Sequence, residues 1–222
     1  MFTGIIQGTA QISKFYSQPG SYRLILEVAQ SELLHSLSIG ASVSVDGICL
    51  TVVEIGTQSI TFDVIDITYK DTNLKTRKPG DIVNIERAAC FGDEIGGHLL
   101  SGHIHTTATV LTVRQTNEQT ILECQVPEKW IQYIFTKGFI ALNGTSLTVQ
   151  AVNKQQHYFD VHLIPETLRT TNFQTKTPAL LNVEIDQQTF TIVNTLSNII
   201  ADNLDINQIM SKHAQKLQTH TD

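Results

Sequence analysis

The sequence predicts an all-β fold, barrel or sandwich, built twice in tandem and followed by a helix. Three observations carry this. Short alternating apolar segments recur between turn residues along most of the chain. The phrase Ala41-Ser42-Val43-Ser44-Val45-Asp46-Gly47-Ile48-Cys49-Leu50-Thr51-Val52 returns 97 residues later as Gly138-Phe139-Ile140-Ala141-Leu142-Asn143-Gly144-Thr145-Ser146-Leu147-Thr148-Val149. Beyond the second copy, Ile192, Val193, Leu196, Ile199, Ile200 and Leu204 follow helical spacing.

The repeat extends well past one hairpin. Thr3-Gly4-Ile5-Ile6 is echoed by Ser101-Gly102-His103-Ile104, Phe62-Asp63-Val64 by Phe159-Asp160-Val161, Thr72-Asn73-Leu74 by Thr171-Asn172-Phe173, and Val83-Asn84-Ile85-Glu86 by Leu181-Asn182-Val183-Glu184. The offset drifts only between 97 and 99 residues, which marks a duplicated domain. The divisions expected are residues 1–97, 98–190 and a helical tail, 191–222.

In the first half, residues 5–12 read as a strand containing small residues, and residues 14–20 as a polar connection. Residues 22–28 form a second strand. Ser31 is placed to cap a short helix over residues 32–37, ended by Gly40. Two strands follow around Asp46-Gly47, a dipeptide favoured in tight hairpins because both residues accept positive φ. Residues 60–64 and 82–86 are further strands, the latter entered through the Pro79-Gly80-Asp81 turn. Residues 68–74 read as a turn or short helix. Gly96-Gly97 marks the junction. The second half repeats the plan with strands at 107–113, 121–126, the Asn143-Gly144 hairpin, 158–163 and 181–185, and a helix at 128–135. In the tail, Asp205 is placed to cap a further turn or helix, with Gln208 in the reciprocal position. A one-sided apolar helix must bury its stripe, either on its own barrels or against copies of itself.

The bulk composition narrows the function classes. The chain has 222 residues, 41% hydrophobic, with a formal net charge of −6. This is a globular composition, and the acidic balance argues against nucleic acid as the main partner. The three cysteines, Cys49, Cys90 and Cys124, are odd in number and widely spaced, so neither a disulfide framework nor a metal site is expected. No basic segment leads into an apolar run at the amino terminus, and no apolar run is long enough to span a bilayer. A cytoplasmic protein without membrane contact is the expectation.

Read together, Met1-Phe2-Thr3-Gly4-Ile5-Ile6, Gly47-Ile48-Cys49-Leu50-Thr51-Val52, Asn84-Ile85-Glu86-Arg87-Ala88, Gly96-Gly97-His98, Ser101-Gly102-His103-Ile104 and Ile164-Pro165-Glu166-Thr167-Leu168 resemble, in order, the riboflavin synthase family of the duplicated-barrel type. The resemblance covers roughly residues 1–190. It implies two six-stranded antiparallel Greek-key barrels. It also implies dismutation of two molecules of 6,7-dimethyl-8-ribityllumazine to riboflavin and 5-amino-6-ribitylamino-uracil, with no cofactor or metal. A homotrimer is implied, held by the C-terminal helices, with the active site between the N-barrel of one subunit and the C-barrel of another.

The chemistry requires two electron-poor heterocycles held face to face, a base for the acidic 7-methyl group, and a nucleophile. His103 is the preferred proton-transfer residue, since an imidazole titrates near neutrality and Gly102 before it lets backbone approach a ligand. The competing reading is a histidine packed between sheets. Cys49 is either a pocket-wall thiol, a transient nucleophile or an inert buried residue. Water or a ribityl hydroxyl is the rival nucleophile. Ser42, Thr51, Ser146 and Thr148 offer hydroxyls to the ring edge or the ribityl chain, or are ordinary strand residues. Asp63 and Asp160 are charges within apolar strands, with a ribityl-binding or turn-stabilising role expected.

The resemblance adds Lys137 and Asp186 to the cross-subunit site; read alone, each is a solvated charge. It adds Gly4, Ile5, Ile164, Glu166 and Thr167 to the substrate contacts. His98 belongs to a family motif without an evident proton task. Where the first half is expected to carry a carboxylate matching Glu166, the chain reads Asp66-Ile67-Thr68-Tyr69. Asp66, one position earlier, points elsewhere if the backbone is extended. The same fold also serves non-catalytic lumazine- or flavin-binding proteins, the alternative that the Ile67 change keeps open.

Overall fold

The computed structural model describes residues 1–116, 119–173 and 179–201. It contains twelve strands in two closed barrels. The first comprises β1 (Gly8–Gln18), β2 (Ser21–Glu27), β3 (Ser42–Val45), β4 (Ile48–Ile55), β5 (Ser59–Ile65) and β6 (Ile82–Arg87), in the order β1-β2-β5-β4-β3-β6. The second comprises β7 (Thr106–Gln115), β8 (Thr120–Gln125), β9 (Phe139–Leu142), β10 (Thr145–Asn153), β11 (Tyr158–Leu163) and β12 (Leu180–Ile185), in the same cyclic order. All pairings are antiparallel. Short helices α1 (Asp66–Asp71), α2 (Glu128–Ile131) and α3 (Pro165–Thr170) connect strands, and α4 (Gln187–Ala201) follows β12. No helix among the described residues is long and apolar enough to cross a membrane.

Each barrel closes on the inward-facing residues of its strands. In the first, Ile12, Leu24, Leu26, Val43, Val45, Val52, Phe62, Val64, Val83 and Ile85 form one buried cluster. Closure needs strands that bend, and bulges supply the bend. One lies between Ile12 and Lys14 and another between Val52 and Glu54; the second barrel has them at the corresponding places, Val110 to Thr112 and Val149 to Ala151. The bulge explains one departure from expectation. β1 does not end at residue 12; it runs through the polar stretch to Gln18, paired with β2. Its outer part faces solvent on one side, so the apolar alternation fades, while Phe15 packs edge-on against Tyr69.

Three further expectations need adjustment. Ser31 does not cap a helix over 32–37: only a 3-10 turn forms at Ser31–Leu33, Gln30 is its cap, and no side chain caps it. The helix expected at 128–135 is regular only over α2. Residues 66–71 are helical, so the argument from an extended backbone at Asp66 does not apply. In the tail, α4 includes Ile192, Val193, Leu196, Ile199 and Ile200. Leu204, Asp205 and Gln208 lie outside the described residues.

The two barrels meet turn to turn. Asp46-Gly47 and Asn143-Gly144 both adopt positive φ, 46° and 84° against 45° and 79°. A Cβ on Gly47 would lie 2.7 Å from the Gly144 nitrogen, so glycine is required by contact as well as by φ. Around this point runs a buried polar lattice. The Asn84 side-chain amide donates to the Asn143 carbonyl at 2.9 Å, and that of Asn182 to the Asp46 carbonyl at 2.8 Å. The backbone N–H of Asn73 donates to Asn182 Oδ1 (2.7 Å) and that of Asn172 to Asn84 Oδ1 (2.6 Å). The exchange is reciprocal: each half supplies what the other lacks. It is broken at Asn172, whose Oδ1 lacks the amide donor that Asn73 Oδ1 receives from Asn182 at 2.9 Å, and where Asp46 stands opposite Asn143 and pairs with the buried guanidinium of Arg77. Burial pushes the Asp46 carboxyl up, and Arg77 with the Asn84 N–H pulls it back.

Candidate active site

Two sites of common backbone plan arise because a short segment from each half crosses onto the hairpin of the other. Ser101-Gly102-His103 lies over Cys49, and Thr3-Gly4-Ile5 lies over Ser146. The N–H of Cys49 donates to the Gly102 carbonyl at 2.9 Å, and the N–H of Ser146 to the Gly4 carbonyl at 2.8 Å. Gly102 has φ +80° and Gly4 φ +77°. A Cβ on Gly102 would meet Cys49 Cβ at 2.6 Å, and one on Gly4 would meet Ser146 Cβ at 2.5 Å. Only glycine permits this approach.

A buried glutamate clamps each crossing segment. Glu184 Oε1 accepts from the Ser101 N–H and hydroxyl, both at 2.7 Å, and Oε2 from the Gly102 N–H at 3.0 Å. Glu86 does the same for Thr3 (2.6 and 2.8 Å) and Gly4 (3.1 Å). Burial raises both carboxyls above the usual range, and the hydrogen bonds oppose it. In the sequence, Glu86 and Glu184 stand out as repeat markers, and Glu86 also within the Asn84-Ile85-Glu86-Arg87-Ala88 phrase. A buried charge without a lysine or arginine partner needs this many donors, so the recurrence of glutamate in two apolar strands was the usable signal.

Over the first hairpin lies a cavity of about 230 Å³. Its lining brings Cys49 of β4 together with Gly102 and His103 of the crossing segment and with Ile67, Thr68 and Asp71 of α1. Cys49 is half-buried and His103 exposed, its N–H donating to Ser101 Oγ at 3.1 Å. An imidazole and a thiol thus share one concave, half-polar site, an arrangement able to move a proton and to add to an electron-poor ring. Cys124 has no such capacity: burial pushes its thiol up to about 12.

Over the second hairpin the imidazole comes from elsewhere. His98 Nδ1 is 2.7 Å from Ser146 Oγ, and its ring stacks on Phe139 at 5.0 Å. Nε2 is buried with no hydrogen-bond partner among the described residues. Burial pushes the His98 pKa down, and the charge of Asp186 opposes the shift. A neutral imidazole against a serine hydroxyl is a polar pair poised for a ligand. His98 therefore has a partner that sequence reading did not foresee; its adjacency to Gly97, whose Cβ would lie 2.6 Å from Ser146 Cβ, was the available hint. Lys137 is exposed at φ +67°, its ammonium donating to Gln150 Oε1 at 2.8 Å.

The remaining candidates are dispersed. Ser42 and Thr51 are opposite one another on β3 and β4; Thr148 pairs with Phe139 across β9 and β10. Asp63 receives a two-pronged Arg23 at 2.9 and 3.1 Å and the Gln18 amide at 2.9 Å, on the barrel exterior and outside the cavity lining. Asp160 has Arg114 at 3.8 Å. Ile164 precedes α3 and is exposed, Thr167 accepts from the Thr171 hydroxyl, and Glu166 is held by Arg169 at 2.5 and 2.9 Å.

The family model "Lumazine binding domain" matches residues 3–88 and again residues 101–186. Riboflavin synthase of Escherichia coli (strain K12) is 46% identical over 204 residues, covering 90% of this chain and 94% of that one. The chain belongs to the riboflavin synthase family. Other members include riboflavin synthase of Buchnera aphidicola subsp. Schizaphis graminum, 41% identical over 90% of this chain and 96% of that one. Among solved structures, LumP complexed with riboflavin superposes with a TM-score of 0.77 at 27% identity, and LumP complexed with 6,7-dimethyl-8-(1′-D-ribityl) lumazine with 0.75 at 25%. Each covers 84% of this chain and all of its own. The two matches of the family model coincide with the duplication seen here.

Proposed function

We propose that the protein is a riboflavin synthase that transfers a four-carbon unit between two molecules of 6,7-dimethyl-8-ribityllumazine, giving riboflavin and 5-amino-6-ribitylamino-uracil. The observation that carries this is the pair of equivalent crossings, Gly102 on Cys49 and Gly4 on Ser146, in a chain 46% identical to a named synthase. Two like sites suit a reaction whose two substrates are the same molecule. The products together hold all the atoms of the two substrates, so no oxidant or reductant enters.

In this reading His103 takes a proton from the 7-methyl group of one lumazine, whose anion is delocalised into the ring. Cys49 lies beside it as a candidate nucleophile. Ser146, held by His98, donates to the second ring, and Lys137 and Asp186 complete that side. Holding both rings in register removes a large part of the barrier, since effective molarities of about 10⁵ M are attainable. We take residues 1–97 and 98–190 as the two lumazine-binding units and 191–222 as an oligomerisation tail. Residues Ile192, Leu196 and Ile200 expose large apolar surface, which suits a trimer whose N-barrel and C-barrel sites face each other across subunits. A cytoplasmic enzyme fits this chemistry.

The test is turnover. Purified protein given only the ribityllumazine is expected to form riboflavin and the pyrimidine in equal amounts, read by green fluorescence and chromatography. Tight binding with no product would overturn the enzyme in favour of a lumazine-binding protein. The likeness to LumP supports that second reading, at 25–27% identity against 46% for the synthase.

A further inference from the structure

Helices α1 and α3 occupy equivalent places after β5 and β11, and their threonines behave alike. The Thr72 hydroxyl donates to the Thr68 carbonyl at 2.7 Å, as the Thr171 hydroxyl does to the Thr167 carbonyl at 2.6 Å. At the offset of 99 set by these threonines, Ile67 stands opposite Glu166 and Asp71 opposite Thr170. Residues four apart share one helix face. On that face α3 carries glutamate and then threonine, whereas α1 carries isoleucine and then aspartate. The carboxylate is therefore present in both halves, displaced in the first by one helical turn, about 6 Å.

Three observations separate Asp71 from an ordinary surface charge. It lines the cavity with Cys49 and His103, whereas Asp66, the carboxylate nearer in sequence to the expected position, does not. Asp66 is engaged by Lys70 at 2.5 Å, whereas Asp71 feels Lys70 only as a nearby charge, with no hydrogen bond to it among the described residues. Asp71 is also the last residue of α1, the end at which the helix dipole disfavours negative charge. The hydroxyl of Thr72 beside it is already directed to the Thr68 carbonyl.

We propose that Asp71 is the ribityl-recognising carboxylate of the first pocket, accepting hydrogen bonds from the substrate's polyol chain in place of a glutamate at position 67. This rests on the ribityllumazine reading above and names a specificity-determining residue within it. A vicinal polyol offers closely spaced O–H donors, and an ionised carboxylate is the strongest uncharged-donor acceptor a side chain can provide.

The test compares wild type, Asp71→Asn and Ile67→Glu/Asp71→Asn in the full-length protein, with thermal melting to verify that each is folded. Two ligands are titrated by fluorescence: riboflavin, and the same tricyclic ring bearing a methyl group in place of the ribityl chain. Turnover of the ribityllumazine is followed in parallel. Asp71→Asn is expected to weaken riboflavin at one class of site about tenfold or more, the scale of a hydrogen bond to a charged group. Binding of the methyl analogue stays unchanged, KM rises more than kcat falls, and Ile67→Glu restores most of the loss. Unchanged riboflavin affinity, equal weakening of both ligands, or no recovery with Ile67→Glu would overturn the assignment. A wild-type protein that binds with this Asp71 dependence yet makes no riboflavin would overturn the synthase reading and leave the assignment standing.

Discussion

Replacing Arg77 by leucine is the most direct probe of how the two barrels are joined. The Arg77 side chain is 9% exposed and that of Asp46 fully buried, so the pair is removed from water. Asp46 Oδ1 accepts from the Asn84 N–H and the Asn172 amide, both at 2.8 Å, and Oδ2 from the Asn73 amide at 3.1 Å and from Arg77. Arg77→Leu removes the counter-charge and leaves a buried carboxylate on three amide donors. Breaking a buried pair from one side costs about 3–5 kcal/mol, and the remaining donors set the expectation at the low end, about 3. For a chain of this length that is a Tm drop of roughly 6–12 °C. Asp46→Asn alone leaves the guanidinium buried without its carboxylate and is expected to cost about 2–3 kcal/mol. The double variant gives the first turn the residue found in the second, where Asn143 Oδ1 accepts from the Asn182 N–H at 2.8 Å and the Asn73 amide at 3.1 Å. Its cost should be only about 1–2 kcal/mol, well below the sum of the singles. Urea unfolding at neutral pH measures all three, with unchanged m-values verifying that the two-state comparison holds. An Arg77→Leu cost below about 0.5 kcal/mol, or simple additivity in the double variant, would refute the buried-pair account.

Four other outcomes are expected. His103→Ala should lower kcat by about 10²–10⁴ while lumazine affinity changes little, checked by single-turnover kinetics beside equilibrium binding; equal losses in both would assign the residue to binding. Gly102→Ala adds a Cβ at φ +80°, 2.8 Å from the Cys49 nitrogen, and should cost about 2 kcal/mol or more in chemical denaturation. His98 is held neutral by burial, so the unfolded chain binds its proton more readily, near 6.5. Stability should hold above that pH and fall as the pH drops towards the depressed folded value, and His98→Gln should flatten the fall in urea midpoint between about pH 7.5 and 5. Truncation before Val193 should yield a smaller species by sedimentation and abolish turnover; a fully active monomer would contradict the role given to the tail.

What the sequence disclosed follows from the kind of interaction that writes each feature. Barrel strands and their hairpins were legible because inward residues alternate and because Asp46-Gly47 and Asn143-Gly144 declare their φ. The duplication was legible because Gly4 and Gly102 sit under the same steric demand. The bulges at residues 12–14 and 52–54 were not, since an unpaired strand residue leaves no compositional trace. The polar outer half of β1 was mistaken for a connection because one solvent-facing side removes the alternation on which the reading depends. The Ser146–His98 pair joins residues 48 apart that belong to different strands and segments, and no periodicity encodes it. The lattice is visible in the sequence as asparagines recurring in both halves, Asn84 and Asn182 within strands and Asn73 and Asn172 in the turns before β6 and β12, yet its reciprocity appears only when the hairpin turns meet.

A synthase of this kind must distinguish two molecules that are identical before they react. Backbone geometry does not supply the distinction: the glutamate clamps match to within 0.1 Å at all three hydrogen bonds, and the two glycine crossings to within 0.1 Å at theirs. The asymmetry resides in side chains hung on this shared frame. Cys49 faces one crossing and Ser146 the other; His103 follows Gly102 where Ile5 follows Gly4; Asp71 answers Thr170 and Ile67 answers Glu166. The first site thus combines an exposed imidazole and a thiol, and the second a buried neutral imidazole hydrogen-bonded to a hydroxyl. A base open to solvent can exchange its proton between turnovers, whereas a buried one is suited to fix the orientation of a ring. Under the proposed reaction, deprotonation belongs beside His103.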